Sequence, residues 1–325
     1  MEEFDSVLNL PWQPCIRPIM LAPMQGLTNS GLRELFARWV FPDTMFTEFI
    51  RVASGETSKR LSPSDMKEMA PTEHGIPLVV QLIGHGIAPV VSAARIAQSA
   101  GACHINLNLG CPYGRMTSGL TGGGILKEPE QLKELIPALR DAVKGSFSIK
   151  LRAGHHDLNQ IFSLLPLFEK SRVDFIVLHP RTVLQEYEGR ADHTITEKVV
   201  RETGIPVIAN GDVRTASQGI EILERTGAAG LMLGRGAIAN PLLFSQIREA
   251  ITTPANRSQK AAMLRFYLKE LLTRYEGLFC GESQILGKVK SVFPTMDDPD
   301  FTKQIKTLKK AVKVEQFKRI IEEIQ

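Results

Sequence analysis

Eight short apolar segments lie between residues 19 and 234, at 19–24, 45–50, 78–83, 103–108, 147–152, 174–179, 206–210 and 230–234. Several are unbroken apolar runs rather than alternations, the pattern of strands buried on both faces of a parallel sheet. Amphipathic helical periodicity follows seven of them, near 31–40, 87–99, 130–143, 160–170, 194–203, 216–226 and 240–250. The second connection, 51–77, is less regular and rich in polar residues and proline. Parallel neighbours require a crossover, and a doubly wound open sheet does not usually contain eight such units in a row. The chain therefore predicts an α/β fold of the (β/α)8 TIM-barrel type.

The strand pattern stops after Ala250. Residues 256–325 read as helices, 259–275 and 301–323, with a Pro- and Asp-rich break at Pro294–Pro299. The expected division is a catalytic barrel over 1–250 and a small all-helical C-terminal domain over 251–325. Charge divides the same way. Residues 256–325 hold 14 Lys+Arg against 9 Asp+Glu, leaving 25 against 26 for the first 255. Lys303, Lys306, Lys309, Lys310, Lys313, Lys318 and Arg319 concentrate the excess. Such a segment suits a polyanion such as RNA, although a solvated lysine-rich helix face explains the charge equally well.

A barrel carries its chemistry on the loops after the strands. Those ends read Ala22-Pro23-Met24, Thr47-Glu48, Gln81, Asn106 and Asn108 with Cys111, Lys150 and Arg152, His179 and Arg181, Asn210-Gly211-Asp212, and Gly234-Arg235-Gly236. One polar residue ending an apolar run is usually a solvent-edge residue, but this many converging on one mouth indicate a site. The fourth end is the most distinctive. Asn106-Leu-Asn-Leu-Gly-Cys-Pro112 delivers a thiol to a loop containing Gly119 and Gly122–Gly124. Buried structural cysteines usually sit inside an element instead.

The seventh and eighth ends form a pair of glycine-bearing loops where barrels frequently hold phosphate, and Arg235 adds a charge-assisted contact. Lys150 offers a fixed cation to the N1–C2 edge of a reduced flavin, and the two-sided amide of Gln81 suits the hydrogen-bonding edge of an isoalloxazine. Backbone at Ala22, Pro23 and Met24 would cap the ring. A phosphate with a flat ring over the mouth describes FMN. No Gly-x-Gly-x-x-Gly opens a helix after the first strand, so a Rossmann site for NAD or FAD is not indicated.

These residues resemble the signature of tRNA-dihydrouridine synthases. Leu21-Ala-Pro-Met24, Thr47-Glu-Phe49, Gln81, Asn108-Leu-Gly-Cys-Pro112, Lys150-Leu-Arg152, His179-Pro-Arg-Thr182, Asn210-Gly-Asp212 and Gly234-Arg-Gly-Ala237 occur in the family's order. The stretch Thr47-Glu-Phe-Ile-Arg51 is most similar to the bacterial C-type subgroup, while Pro180 departs from the Gly or Ala more often found in that turn. The resemblance implies FMN reduced by NADPH, hydride transfer from flavin N5 to uracil C6 of a tRNA uridine, and protonation of C5 by Cys111. A thiol with the reference pKa of about 8.5 is mostly protonated at neutral pH, as an acid must be. Arg115 would lower it if it pointed at the sulfur. His179 joins the expected cofactor residues. Asn108, Arg152 and Arg181 are expected donors to the uracil edge, Tyr187 a ring against the base, and Lys288 and Lys290 phosphate contacts.

Other features set bounds. Four cysteines, Cys15, Cys103, Cys111 and Cys280, make no Cys-x-x-Cys pair, so no disulfide framework or zinc site is suggested and a reducing cytoplasm is expected. His74, His85, His104, His155, His156 and His193 show no metal spacing. No apolar run approaches the ~18 residues of a membrane span. The N-terminus is acidic and lacks the basic start of a secretory signal. Nothing demands oligomerisation, so a monomer is expected. Two rivals remain: an FMN barrel reductase of a small molecule, which leaves the basic tail and the Gly-Cys-Pro loop without a role, and a nucleic-acid-binding barrel without chemistry.

Overall fold

The computed structural model describes residues 10–53, 61–113 and 120–325. Eight strands form the barrel: β1 Ile19–Leu21, β2 Thr44–Phe46, β3 Leu78–Ile83, β4 His104–Leu109, β5 Ser146–Gly154, β6 Phe175–Thr182, β7 Val207–Asn210 and β8 Gly230–Leu233. Every neighbouring pair is parallel, and β1 pairs with both β2 and β8, with Met20 opposite Thr44 and Ile19 opposite Leu231. The sheet therefore closes on itself with no free edge. A two-residue strand, Ile50–Arg51, adds to the far end of β3. The (β/α)8 expectation stands.

Helices α1 to α9 run Ser30–Trp39, Pro63–Glu68, Ile87–Ser99, Leu132–Ala142, Gln160–Lys170, His193–Glu202, Ala216–Thr226, Arg235–Ala239 and Leu243–Arg248. Local chemistry sets several starts. Asn29 caps α1 by accepting from Leu32 N, and Thr215 and Gln218 form a reciprocal capping box at α7. The helix expected over 240–250 forms only from 243, because Asn240 is extended and ends the short α8.

The tail differs from expectation. It contains α10 Arg257–Leu278, α11 Glu282–Lys290, α12 Thr302–Lys310 and α13 Val314–Glu322. The segment expected as one helix over 301–323 is broken at 311–313, where no glycine or proline stands. The break is made by contacts from elsewhere. Lys290 Nζ donates to the Ala311 carbonyl, Glu282 Oε1 accepts from Val314 N, and Gln316 Oε1 accepts from Val312 N. Each partner satisfies a group that a continuous helix would satisfy itself. The helix α11, with Gly287 near its middle, was not legible as periodicity.

The expected division at residue 250 falls between α9 and α10, yet one hydrophobic core spans it. Leu32, Leu35 and Phe36 of α1 share it with Tyr267, Leu268, Leu271 and Tyr275 of α10. Phe36 and Tyr267 meet edge-on at 6.2 Å, and Trp39 lies 4.7 Å from Phe266. A buried hydrogen bond, Asn29 Nδ2 to Tyr275 Oη at 3.0 Å, joins the two parts. Tyr275→Phe leaves that amide donor without its partner and is expected to cost about 1–3 kcal/mol, read as a lowered Tm in thermal unfolding. An unchanged Tm would mean the bond adds nothing net. Among the described residues no helix is long and apolar enough to cross a membrane.

Candidate active site at the barrel mouth

Alternation along β4 turns Asn106 and Asn108 to the same side. Gln81 on β3 stands opposite Asn106, which stands opposite Ser148 on β5. Their side chains form a ladder: Asn108 Nδ2 donates to Gln81 Oε1, Gln81 Nε2 to Asn106 Oδ1, and Asn106 Nδ2 to Ser148 Oγ, each at 2.8 Å. Buried polar groups are tolerated when paired in this way. An apolar cluster of Met20, Phe46, Val79, Phe175, Val177 and Ile208 packs beside them, and Trp12 meets Phe175 edge-on at 4.9 Å.

The thiol loop grows from the top of this ladder. Asn108 Oδ1 accepts from Gly110 N and Cys111 N, both at 3.0 Å. Arg152, almost fully buried, donates from Nε to the Gly110 carbonyl at 3.1 Å and from Nη1 to that of Thr182 at 2.8 Å. Gly123 N donates to the Cys111 carbonyl at 3.0 Å. A Cβ on Gly123 would lie 2.6 Å from Val183 and 2.9 Å from that carbonyl, which is why a glycine stands here. Cys111 itself is half-buried. Burial pushes its pKa up; the Tyr113 backbone N–H and the positive Arg152 and Lys150 oppose this without cancelling it. The group is therefore a thiol at neutral pH. Arg115 and Gly119 lie outside the described residues.

A cavity opens around Lys150 at the ends of the strands. Its wall includes Ala22, Pro23 and Met24 after β1, His179, Tyr187, Asn210-Gly211-Asp212, Gly234 and Arg235. Lys150 Nζ donates to Asn210 Oδ1 at 3.0 Å, and Asn210 Nδ2 donates to the Met232 carbonyl at 2.8 Å. Burial, then the neighbouring Arg152, lowers the Lys150 pKa from 10.5 to about 8. His179 Nε2 accepts from Arg181 Nη1 at 2.8 Å. Burial, then the charges of Lys150, Arg152 and Arg181, hold its pKa well below 6.5, so the imidazole is neutral. Around the β7 and β8 loops, a Cβ on Gly236 would lie 2.1 Å from the Val213 carbonyl.

The expected site residues are tied into the scaffold. Gln81 is fully buried in the amide ladder, where it orients Asn108. Asn108 is anchored at both ends of its amide, to Gln81 and to the thiol loop, and Arg152 is anchored through Nε and Nη1 to two carbonyls. Arg181, also buried, holds the Glu188 and Gly189 carbonyls, His179 and Asp212. Asp212 accepts from Arg181 Nη2 and Ala191 N at 2.7 Å and faces Arg235 at 3.6 Å. Its burial raises the pKa, but those bonds outweigh it and the net shift is downward. Its carboxylate is an anchor for arginines, leaving only its backbone for an anion. Lys290 is engaged by Ala311, and Lys288 lies 5.5 Å over the Phe279 ring.

Two contributors had no strong sequence signal. His193 Nε2 meets the Gly211 carbonyl at 3.0 Å and fixes that loop. Arg214 lines the cavity beside Gly236, and its position after strand seven was the available clue. Among the described residues no group of three His, Cys, Asp or Glu is placed to hold a metal.

Comparison with known proteins agrees with this arrangement. The family profile described as "Dihydrouridine synthase (Dus)" matches residues 20–324. A probable tRNA-dihydrouridine synthase of Rhodobacter capsulatus is 36% identical over 235 residues, covering 72% of each chain. The tRNA-dihydrouridine(16) synthase of Haemophilus influenzae is 36% identical over 234 residues, covering 69% of this chain and 74% of that one. Among solved structures, histamine dehydrogenase from Rhizobium sp. 4-9 superposes with a TM-score of 0.58 at 13% identity, over 79% of this chain and 49% of that one. That likeness speaks to the barrel alone.

Proposed function

The chain belongs to the dihydrouridine synthase family, and on that premise we propose that it reduces the C5–C6 double bond of a uridine in tRNA, using FMN with NADPH as electron source. The observation that carries this reading is the thiol. Cys111 lies within electrostatic reach of Lys150, which lines a cavity suited to a phosphate and a flat ring, and burial keeps the thiol protonated. The relatives' names supply the RNA and, for Haemophilus influenzae, position 16, which is the uridine to map first.

The residues fit FMN. Gly211, Gly234 and Gly236 leave backbone open beside Arg235 for a phosphate. Lys150 stands mid-mouth for the pyrimidine edge, with Ala22-Pro23-Met24 across from it, while His179 and Asn210 complete the wall. When bound, FMN supplies the two electrons taken from NADPH. Lys150 stabilises negative charge at its side of the cavity. Asn108 and Arg152 hold the Gly-Cys turn so that the Cys111 thiol can release its proton to uracil C5. The base must leave its stack to reach this mouth. The basic residues of α12, Lys303, Lys306, Lys309 and Lys310, offer phosphate contacts away from it. Free exposed Cys15, Cys103 and Cys280 fit a reducing cytoplasm. We take the monomer as the working state.

The test is mass spectrometry of nucleosides from dihydrouridine-free tRNA incubated with the protein and NADPH. Dihydrouridine is the expected product. A yellow, NADPH-reducible protein that yields none would turn the reading toward a small-molecule reductase.

Lys150 gives a pH prediction. Its pKa of about 8 in the free protein means that it is half deprotonated near pH 8 and mostly neutral a unit higher, where an ordinary lysine of pKa 10.5 is still charged. An anionic or electron-rich ligand beside it raises the pKa again. FMN binding should therefore take up close to a proton near pH ~9 and little near pH ~6.5. Calorimetry in buffers of different ionisation enthalpy reads this directly. Equal proton uptake by Lys150→Met would rule the residue out as the source.

A further inference from the structure

Tyr113 stands two residues beyond the thiol and is 55% exposed, unusual for a large ring beside a reaction centre. Its backbone N–H faces Cys111, and its ring centroid lies 6.2 Å from that of Tyr187, tilted by 39°. Tyr187 is held between two cations: the guanidinium of Arg152 lies 5.3 Å from its ring centroid and that of Arg235 4.6 Å away. The pair thus forms a bridge between the thiol loop and the loop after β6, with Tyr187 as the fixed end and Tyr113 facing out.

Among the described residues the Tyr113 ring meets that of Tyr187 and is otherwise largely open. A nucleotide that flips its base into the mouth leaves its own neighbour unstacked. Base–aromatic stacking needs only an exposed ring of fixed orientation and accepts any base. We propose that Tyr113 is a stacking platform for the nucleobase next to the target uridine, held in place by Tyr187. This rests on the reading of the site as a uridine reductase. Tyr113 is a substrate-positioning residue and takes no part in proton transfer.

The test compares Tyr113→Ala and Tyr113→Phe in the full protein with FMN and tRNA. The alanine variant should raise KM for tRNA about 10-fold or more, the range stacking energies give, while NADPH reduces the flavin as before without tRNA. The phenylalanine variant keeps the ring and should stay within about 2-fold of the parent. A tRNA carrying 2-aminopurine beside the target uridine adds a spectroscopic reading: its fluorescence should fall on binding to the parent and recover with Tyr113→Ala.

Three outcomes would overturn the proposal. One is a KM within about 2-fold in the alanine variant. The second is an equal loss in the phenylalanine variant, which would assign the effect to the hydroxyl. The third is a fall in kcat alone, which would assign it to the thiol loop. A parent enzyme that reduces its flavin but forms no dihydrouridine would instead sink the reading beneath it.

Discussion

Cys111→Ala should keep its flavin and its reduction by NADPH, and lose dihydrouridine formation by about 10²–10⁴-fold, the usual worth of a positioned general acid. The separation of the two half-reactions is what makes the result diagnostic. The hydrogen bonds along the cavity wall do not run through the sulfur: Lys150 is tied to Asn210, and His179 to Arg181. The loop conformation depends on backbone groups, Gly110 N, Cys111 N and the Cys111 carbonyl, which alanine retains. Single-turnover experiments that mix reduced enzyme with tRNA would measure the second half alone. Because burial raises the thiol's pKa, the parent rate should hold as pH rises past the ordinary thiol value and fall only above it. Turnover equal to the parent in the alanine variant would remove Cys111 from the mechanism, and loss of bound flavin would make it structural.

Arg181→Met should unfold early and arrive without flavin, rather than fold well and bind tRNA poorly. The guanidinium is buried and bonded to His179, Asp212 and two carbonyls of the following loop. Removing one partner of such a set typically costs about 3–5 kcal/mol, because the others are left with an unmet charge and unmet acceptors. Asp212 fixes the sign with pH. Its carboxylate pKa is depressed in the folded protein, so it contributes stability that is present above its unfolded value and lost as pH falls through the folded one. The variant should lose that acid-sensitive part. Denaturant unfolding at neutral and acid pH, with flavin content measured alongside, checks both. A stable, yellow variant with raised KM for tRNA would restore the base-edge role expected from sequence alone.

The contrast between Cys111 and Arg181 shows where sequence reasoning reached its limit. Cys111 was legible because its neighbours explain it: a strand running into Gly-Cys-Pro and a glycine run can only serve a close-packed turn at a strand end. The cavity residues Lys150, Asn210, Gly234 and Arg235 were legible for the same reason, since chain order along a barrel fixes which ends meet. Gln81, Asn108, Arg152 and Arg181 were placed near the mouth correctly, but their partners were not predictable. A side chain's free hydrogen-bonding capacity is decided by what stands 3 Å away, and that is a property of register between strands: Asn106 opposite Gln81, Asn108 opposite Lys150. The same limit appears in the tail, where the break at 311–313 is made by Glu282 and Lys290 from another helix.

By itself the sequence determined the closed parallel barrel, the order of its loops, the thiol and the basic tail, because periodicity, glycine placement and charge act over a few residues of chain. Only the tertiary structure decided which polar groups at the mouth remain free for ligands, which serve as scaffolding, and where Tyr113 and Tyr187 meet. Those outcomes depend on contacts between segments far apart in sequence, and no local pattern encodes them.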